Sequence, residues 1–235
     1  MAATLALIHS PLTSAAAWGV LPDVLRELGH AVAVPDVVDD DEPPYASHFI
    51  ARASQQLQLD APGEPLVLVG HSGAGPLLPQ IAFARQSSGT PVTGYVFLDA
   101  MLPRTMRAAT RMDLLELDDP VFTAQLAQHL ADGGRFPEWT DLDLAEMVAD
   151  PGDRALLLAG LRPRGLDFFT EPLPIPEDWP DAPCGYLRLS PPYDGAAHAA
   201  ELRGWSVRRV DAHHFWAMTH PTEVAKEVTA LIAEL

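Results

Sequence analysis

Short apolar runs punctuate the first hundred residues and return near the C-terminus. Leu5-Ala6-Leu7-Ile8, Ala31-Val32-Ala33-Val34, Leu66-Val67-Leu68-Val69 and Tyr95-Val96-Phe97-Leu98 contain no charged residue and no polar alternation. Runs of this length suit strands buried on both faces. Between them apolar positions recur at helical spacing, from Trp18 to Leu28, from Ser47 to Leu59 and, after a Gly-rich turn over Gly70 to Gly75, on to about Ser87. Gly29 stops the first of these helices. The same alternation resumes late in the chain. Gly185 to Leu189 and Ser206 to Val210 read as strands, Ala196 to Arg203 as the helix between them, and Thr222 to Leu235 as a closing helix behind Pro221. Strands alternating with helices predict an α/β fold: a mostly parallel, doubly wound sheet with helices on both faces.

The pattern changes between Pro103 and Phe169, where no strand is evident. Val121 to Leu130 and Leu142 to Val148 are amphipathic pieces, and Pro172 to Pro183 reads as a proline-rich return linker. The expected organisation is therefore one core in two parts, residues 1–102 and 173–235, interrupted by a helical insertion over 103–172. A chain of 235 residues suits one such domain. The acidic segment from Asp39 to Pro44 is expected to be a solvated loop. No apolar run approaches the ~20 residues needed to span a bilayer. The first residues lack the basic start and cleavage site of a signal peptide, which predicts a cytoplasmic protein.

Composition removes several classes of function. A formal net charge of −17 repels nucleic acid and anionic membrane surfaces, so neither is an expected partner. The one cysteine, Cys184, cannot form an intrachain disulfide or a thiolate cluster, and its place at the start of an apolar run points to a core role. Lys226 is the only lysine and lies on a helical pattern among acidic neighbours, a poor setting for Schiff-base chemistry. No metal or cofactor is called for.

The chemistry concentrates at Gly70-His71-Ser72-Gly73-Ala74-Gly75, directly after the strongest buried-strand pattern. A serine in a tight strand-to-helix turn is held in a strained conformation with its hydroxyl exposed above the sheet, and small neighbours let the turn close. The motif departs from G-x-S-x-G only in having Ala74 at the last position. Serine at its ordinary pKa needs a base. With nine histidines in the chain, only placement discriminates among them. His214 follows the last strand, on the sheet edge where the other strands end, with Pro221 seven residues beyond it.

At these residues the chain resembles the α/β-hydrolase family, whose catalytic histidine commonly sits in a G-H-x6-P context. His213 occupies the usual Gly position. The resemblance extends to the first strand, where His9 and Trp18 have the family's spacing, and covers the chain except the insertion. It implies a triad of Ser72, His214 and a carboxylate. Two carboxylates are candidates. Asp194 follows the penultimate strand, the commonest family location, but directly precedes a helix and could simply cap it. Asp99 ends the strand after the nucleophile helix, where some branches carry the acid. The resemblance also implies an oxyanion hole of two backbone N–H groups. Gly73 supplies one. The second position falls on Pro11, which has no N–H, so that donor is Leu12 N–H, the Ser10 hydroxyl, or missing.

The insertion is expected to lie over Ser72 as a lid. Leu12 and Thr13, with Met101, Leu102, Phe168, Phe169, Phe215 and Trp216, are candidates to line a pocket for a small apolar or aromatic molecule. The leading expectation is a serine hydrolase acting on an ester, thioester or lactone. A second reading uses the same serine and histidine as an acid/base pair in a lyase or cyclase. It resembles the hydroxynitrile-lyase branch, with Ser10 where that branch carries Thr but Phe215 in place of its Lys. A third is a ligand-binding member without catalysis, against which an intact Ser72 and His214 argue.

Overall fold

The computed structural model describes residues 3–38, 41–104 and 109–235. In chain order the elements are β1 (Thr4–Ile8), α1 (Leu21–Glu27), β2 (Val32–Ala33), α2 (Tyr45–Asp60), β3 (Leu66–Ser72), α3 (Leu78–Ser87) and β4 (Val92–Ala100). Then come β5 (Ala109–Thr110), α4 (Arg111–Asp118), α5 (Pro120–Ala131), α6 (Asp141–Leu144), α7 (Pro151–Ala159), α8 (Leu166–Thr170) and β6 (Pro172–Leu173). The chain closes with β7 (Cys184–Arg188), α9 (Asp194–Leu202), β8 (Ser206–Arg209), α10 (Trp216–Thr219) and α11 (Pro221–Ile232).

Six strands form one parallel sheet in the order β2-β1-β3-β4-β7-β8. The unbroken apolar runs have the expected cause. Leu66 and Leu68 pack on one face with Phe49 of α2 and Ile81 of α3, whereas Val67 and Val69 pack on the other with Leu21 of α1 and Val228 of α11. Each strand thus needs apolar residues at both parities. Right-handed crossovers explain which helix lies where. From β1 the chain steps one way to β2 through α1, then reverses and steps the other way through α2, α3 and α9. The reversal puts α1 on the face opposite the other three. It also leaves a crevice at the C-terminal ends of β1 and β3, the switch point where open α/β sheets bind ligands.

Two backbone irregularities stand at that edge. Ser72, the last residue of β3, has φ 56°. Asp99 in β4 has φ 43°. The β3–β4 register pairs His71 with Leu98 and Ser72 with Ala100, so Asp99 is the extra residue of a bulge. A bulge re-aims its side chain, and positive φ at a non-glycine residue is strained.

The insertion differs from expectation in two details. Its ends are clasped by a short antiparallel pair, Ala109 with Leu173 and Thr110 with Pro172, although no strand was expected there. Two-residue ladders are too short to show alternation. The piece from Leu142 to Val148 is helical only over Asp141–Leu144. In the acidic loop, Asp41 is ion-paired with Arg135, at 2.7 Å, and with Arg164, which ties the loop to the insertion. Asp39 and Asp40 lie outside the described residues. Cys184 is buried in β7, and burial pushes its thiol up to about 12, consistent with a core role. Among the described residues no helix is long and apolar enough to cross a membrane.

Gly75 shows how tightly the turn after Ser72 sits on β4. A Cβ there would lie 2.1 Å from the carbonyl oxygen of Met101. Gly75→Ala is therefore expected to lower stability by about 1–3 kcal/mol through overpacking, read as a reduced urea midpoint with an unchanged slope.

Candidate active site

Ser72 and His214 reach the same cavity from opposite ends of the chain. Ser72 is delivered by the positive-φ turn at the end of β3. His214 lies in the loop between β8 and α10. The Nδ1–H of His214 donates to Asp99 Oδ2 at 2.7 Å, which leaves Nε2 as the ring's acceptor. The same carboxylate accepts from Leu189 N–H at 2.8 Å, Ser190 N–H at 2.9 Å and the Ser190 hydroxyl at 2.5 Å. Asp99 is fully buried. Burial pushes its carboxyl up, but the hydrogen bond and charge of His214, then Ser190 and Leu189, outweigh this and hold it below the usual carboxylate value.

Asp194, the other candidate acid, is engaged elsewhere. Its carboxylate pairs with Arg188 Nε at 2.7 Å and its side chain is 58% exposed. It is the first residue of α9, and its side chain makes no cap hydrogen bond. The expectation of a cap is thus corrected: Asp194 neutralises the buried Arg188, which also binds Asp211 at 3.0 Å.

The His214 ring is held on both faces. His71 stacks on one side at 4.4 Å between ring centres, and its Nε2–H donates to the His214 carbonyl at 3.0 Å. Burial first, then the His214 ring, push the His71 pKa down to about 3, so it remains a neutral support. Tyr193 stacks on the other side at 5.2 Å with the rings 6° from parallel, and its hydroxyl shares a 3.3 Å hydrogen bond with Ser72 Oγ. His213 is not among the cavity-lining residues and packs on Trp216.

The expected oxyanion donors are also resolved in position. Leu12 N–H is taken by Ser10 Oγ at 3.2 Å. Because Ser10 Oγ accepts that bond, its own proton can point elsewhere. It sits over Gly73, where a Cβ would lie 3.0 Å from it. His9 fixes this loop: its Nδ1–H donates to the Ser10 carbonyl at 2.8 Å, and its Nε2 accepts Val37 N–H at 2.9 Å.

The cavity over Ser72 measures about 300 Å³. Of the residues proposed from the sequence to line a pocket, Leu12, Thr13, Met101, Phe168, Phe169 and Phe215 border it. Leu102 and Trp216 do not. Leu102 packs into the core on the α2–α3 face, and Trp216 turns outward, stacking on His220 and donating to Glu223 at 2.8 Å. Both lie next to residues that do face the cavity, and adjacent residues point in different directions. The insertion adds Leu115, Phe122, Phe136 and Trp139 to the wall. Arg111 also lines it, donating to the Phe168 carbonyl at 2.8 Å with its guanidinium 3.8 Å from the Phe168 ring centre. Nothing in the local sequence marked these residues, nor Tyr193. The position of Tyr193 just past the end of β7 was the available signal.

This fold carries a known family signature. The model of the alpha/beta hydrolase family matches residues 5–227, and the chain belongs to that family. It is similar in fold to an extracellular α/β-hydrolase from a Paenibacillus species, described as sharing structural and functional homology with tobacco salicylic acid binding protein 2. That match has 19% identity and a TM-score of 0.76, and covers 98% of this chain and 99% of the other. Tomato methylketone synthase I bound to 2-tridecanone gives 15% identity and a TM-score of 0.72, over 100% and 99% of the two chains. A polyneuridine aldehyde esterase mutant gives 18% and 0.70, over 97% and 98%. No curated protein matches the sequence.

One carboxyl on the cavity wall stands apart. Asp118, the last residue of α4, has no hydrogen-bond or ion-pair partner among the described residues. Burial first, then the charge of Asp99, push its pKa up to about 7 from 3.8. A carboxyl whose folded pKa is raised binds more protons folded than unfolded between those values. Its contribution to stability therefore falls as pH rises from about 4 to about 7, and the full cost remains above that window. Asp118→Asn is expected to raise the melting temperature more at pH 8 than at pH 5. An equal gain at both would contradict the unpaired placement.

Proposed function

We propose that this protein is a serine hydrolase cleaving an ester, thioester or lactone of a small, largely apolar molecule. The observation that carries the reading is the 2.7 Å contact between Asp99 and His214 beside a strained Ser72 that opens on the same cavity. Ser72 Oγ attacks the carbonyl carbon while His214 Nε2 takes its proton. Asp99 holds the imidazole by Nδ1–H and balances its positive charge. The oxyanion is met by Gly73 N–H and by the Ser10 hydroxyl, which substitutes for the N–H that Pro11 lacks. His214 then protonates the departing group. In the second half it activates water to release the acyl group from Ser72.

The helices between β4 and β7 act as a lid. Their aromatic side chains supply most of the cavity's apolar wall, which favours aliphatic or aromatic acyl groups over sugars and phosphates. The names of the structural neighbours support small-molecule carbonyl chemistry, since they include an esterase and a ketone-binding enzyme.

The use of a side-chain hydroxyl at Ser10 favours a second reading, a lyase or cyclase in which Ser72 and His214 shuttle a proton without forming an acyl-enzyme. The two readings differ in the fate of water. Turnover in ¹⁸O-water is expected to place label in the carboxylate product, and a converted substrate with no label would favour the lyase or cyclase.

A fluorophosphonate probe tests the serine and the choice of acid together. Wild-type protein is expected to label at Ser72, and Ser72→Ala not at all. Asp99→Asn should slow labelling by as much as roughly 10⁴-fold, because the amide favours the wrong imidazole tautomer. Asp194→Asn should label at the wild-type rate with some loss of stability. No labelling of folded wild-type protein would count against the hydrolase reading.

A further inference from the structure

We propose that Tyr193 is a further catalytic residue, whose hydroxyl donates a hydrogen bond to the leaving-group oxygen as the tetrahedral intermediate collapses. The inference rests on the hydrolase reading and specifies how its first half ends.

The geometry comes from the turn after β7. Ser190-Pro191-Pro192-Tyr193 follows β7, and residues Pro191–Tyr193 form a single 3₁₀ turn closed by Tyr193 N–H on the Ser190 carbonyl at 3.1 Å. Two prolines restrict the backbone of this turn. Asp99 anchors its first residue through both the N–H and the hydroxyl of Ser190. The carboxylate that orients His214 therefore also orients the turn carrying Tyr193. The outcome is a phenol ring lying parallel to the imidazole, with its oxygen 3.3 Å from the nucleophile. That hydrogen bond to Ser72 is the only one the phenol makes among the described residues.

Its position assigns its role. The oxyanion must turn toward Gly73 and Ser10, which sit together on the loop after β1 and the turn after β3. The departing oxygen must turn toward His214, which returns the proton to it. A donor stacked on the His214 ring therefore meets the leaving group and not the oxyanion. The phenol stays protonated there, because burial and the charge of Asp99 both raise its pKa. The step balances without Tyr193 losing its proton. The Ser72 Oγ–carbonyl bond has formed, the bond from carbon to the leaving oxygen breaks, and the proton taken from Ser72 passes from His214 to that oxygen. Tyr193 contributes only a hydrogen bond to the charge developing on it.

A donor of this kind matters in proportion to the basicity of the leaving group. Tyr193→Phe keeps the ring and its stacking and removes only the hydroxyl. The test compares wild type and Tyr193→Phe on two esters of one acid, an ethyl ester and a p-nitrophenyl ester, by kcat/KM, which reports acylation. The ethyl ester is expected to lose roughly 100-fold. The nitrophenyl ester, whose leaving group needs little assistance, is expected to stay within about 3-fold. Fluorophosphonate labelling, which expels fluoride, should likewise be near the wild-type rate. Equal losses on both esters would show that Tyr193 only positions His214 or Ser72, and no loss on either would show that its hydroxyl is idle; both results overturn the proposal while leaving the hydrolase reading intact. Failure of folded wild-type protein to hydrolyse either ester overturns the hydrolase reading and this role with it.

Discussion

The carboxylate of Asp99 organises this end of the molecule. It is fully buried, and a buried charge is tolerated only when paired and hydrogen-bonded. Here it accepts two backbone N–H groups, a serine hydroxyl and an imidazole N–H. Those four partners belong to two separate stretches of chain, the loop after β7 and the loop after β8. Satisfying one charge thus fixes the His214 ring and the Tyr193 turn at once. The bulge in β4 makes this possible. Without the extra residue, Asp99 would pair with β3 and point to one face of the sheet. Tyr186 of β7 holds the strand immediately beyond, accepting Ala100 N–H at 3.1 Å and donating to its carbonyl at 2.9 Å.

Strain at Ser72 and Asp99 is held by the same sheet. Each has positive φ, a conformation that costs free energy in a non-glycine residue and persists only where its surroundings over-determine it. Both sit at the C-terminal ends of central strands that are buried over most of their length and flanked by helices on both faces. The close seat of Gly75 on Met101 fixes the turn from above, and His9 fixes the facing loop through Ser10 and Val37. The insertion carries few of these constraints. Its short helices begin with their own caps, such as the reciprocal Thr110–Asp113 and Thr140–Asp143 pairs, and it contributes mainly the apolar wall above the serine.

Much of the fold was legible in the chain because the sheet is buried on both faces. Leu66 to Val69 could be read as a central strand without any contact being known, since no solvated face dilutes the pattern. The turn that carries Ser72 was legible because a small-residue passage from strand to helix is written in consecutive residues. His214 was legible from its place after the last strand. The insertion was the hardest to read: its clasp is two residues long on each side, and α6 stops short of the amphipathic pattern it begins.

The sequence by itself determined the α/β alternation of the core and the tight turn that carries Ser72, since each is encoded in residues adjacent along the chain. Only the tertiary structure distinguished the two carboxylates. Asp99 lies in the last residues of β4 and Asp194 beyond the end of β7, and what separates them is a bulge that turns one toward the imidazole and an arginine that occupies the other. The same holds for the cavity. Whether Leu102 or Met101, Trp216 or Phe215 faces Ser72 depends on the direction of one Cα–Cβ bond. That Tyr193 and Asp118 reach the site depends on how the loop after β7 and a helix of the insertion pack against strands distant in sequence.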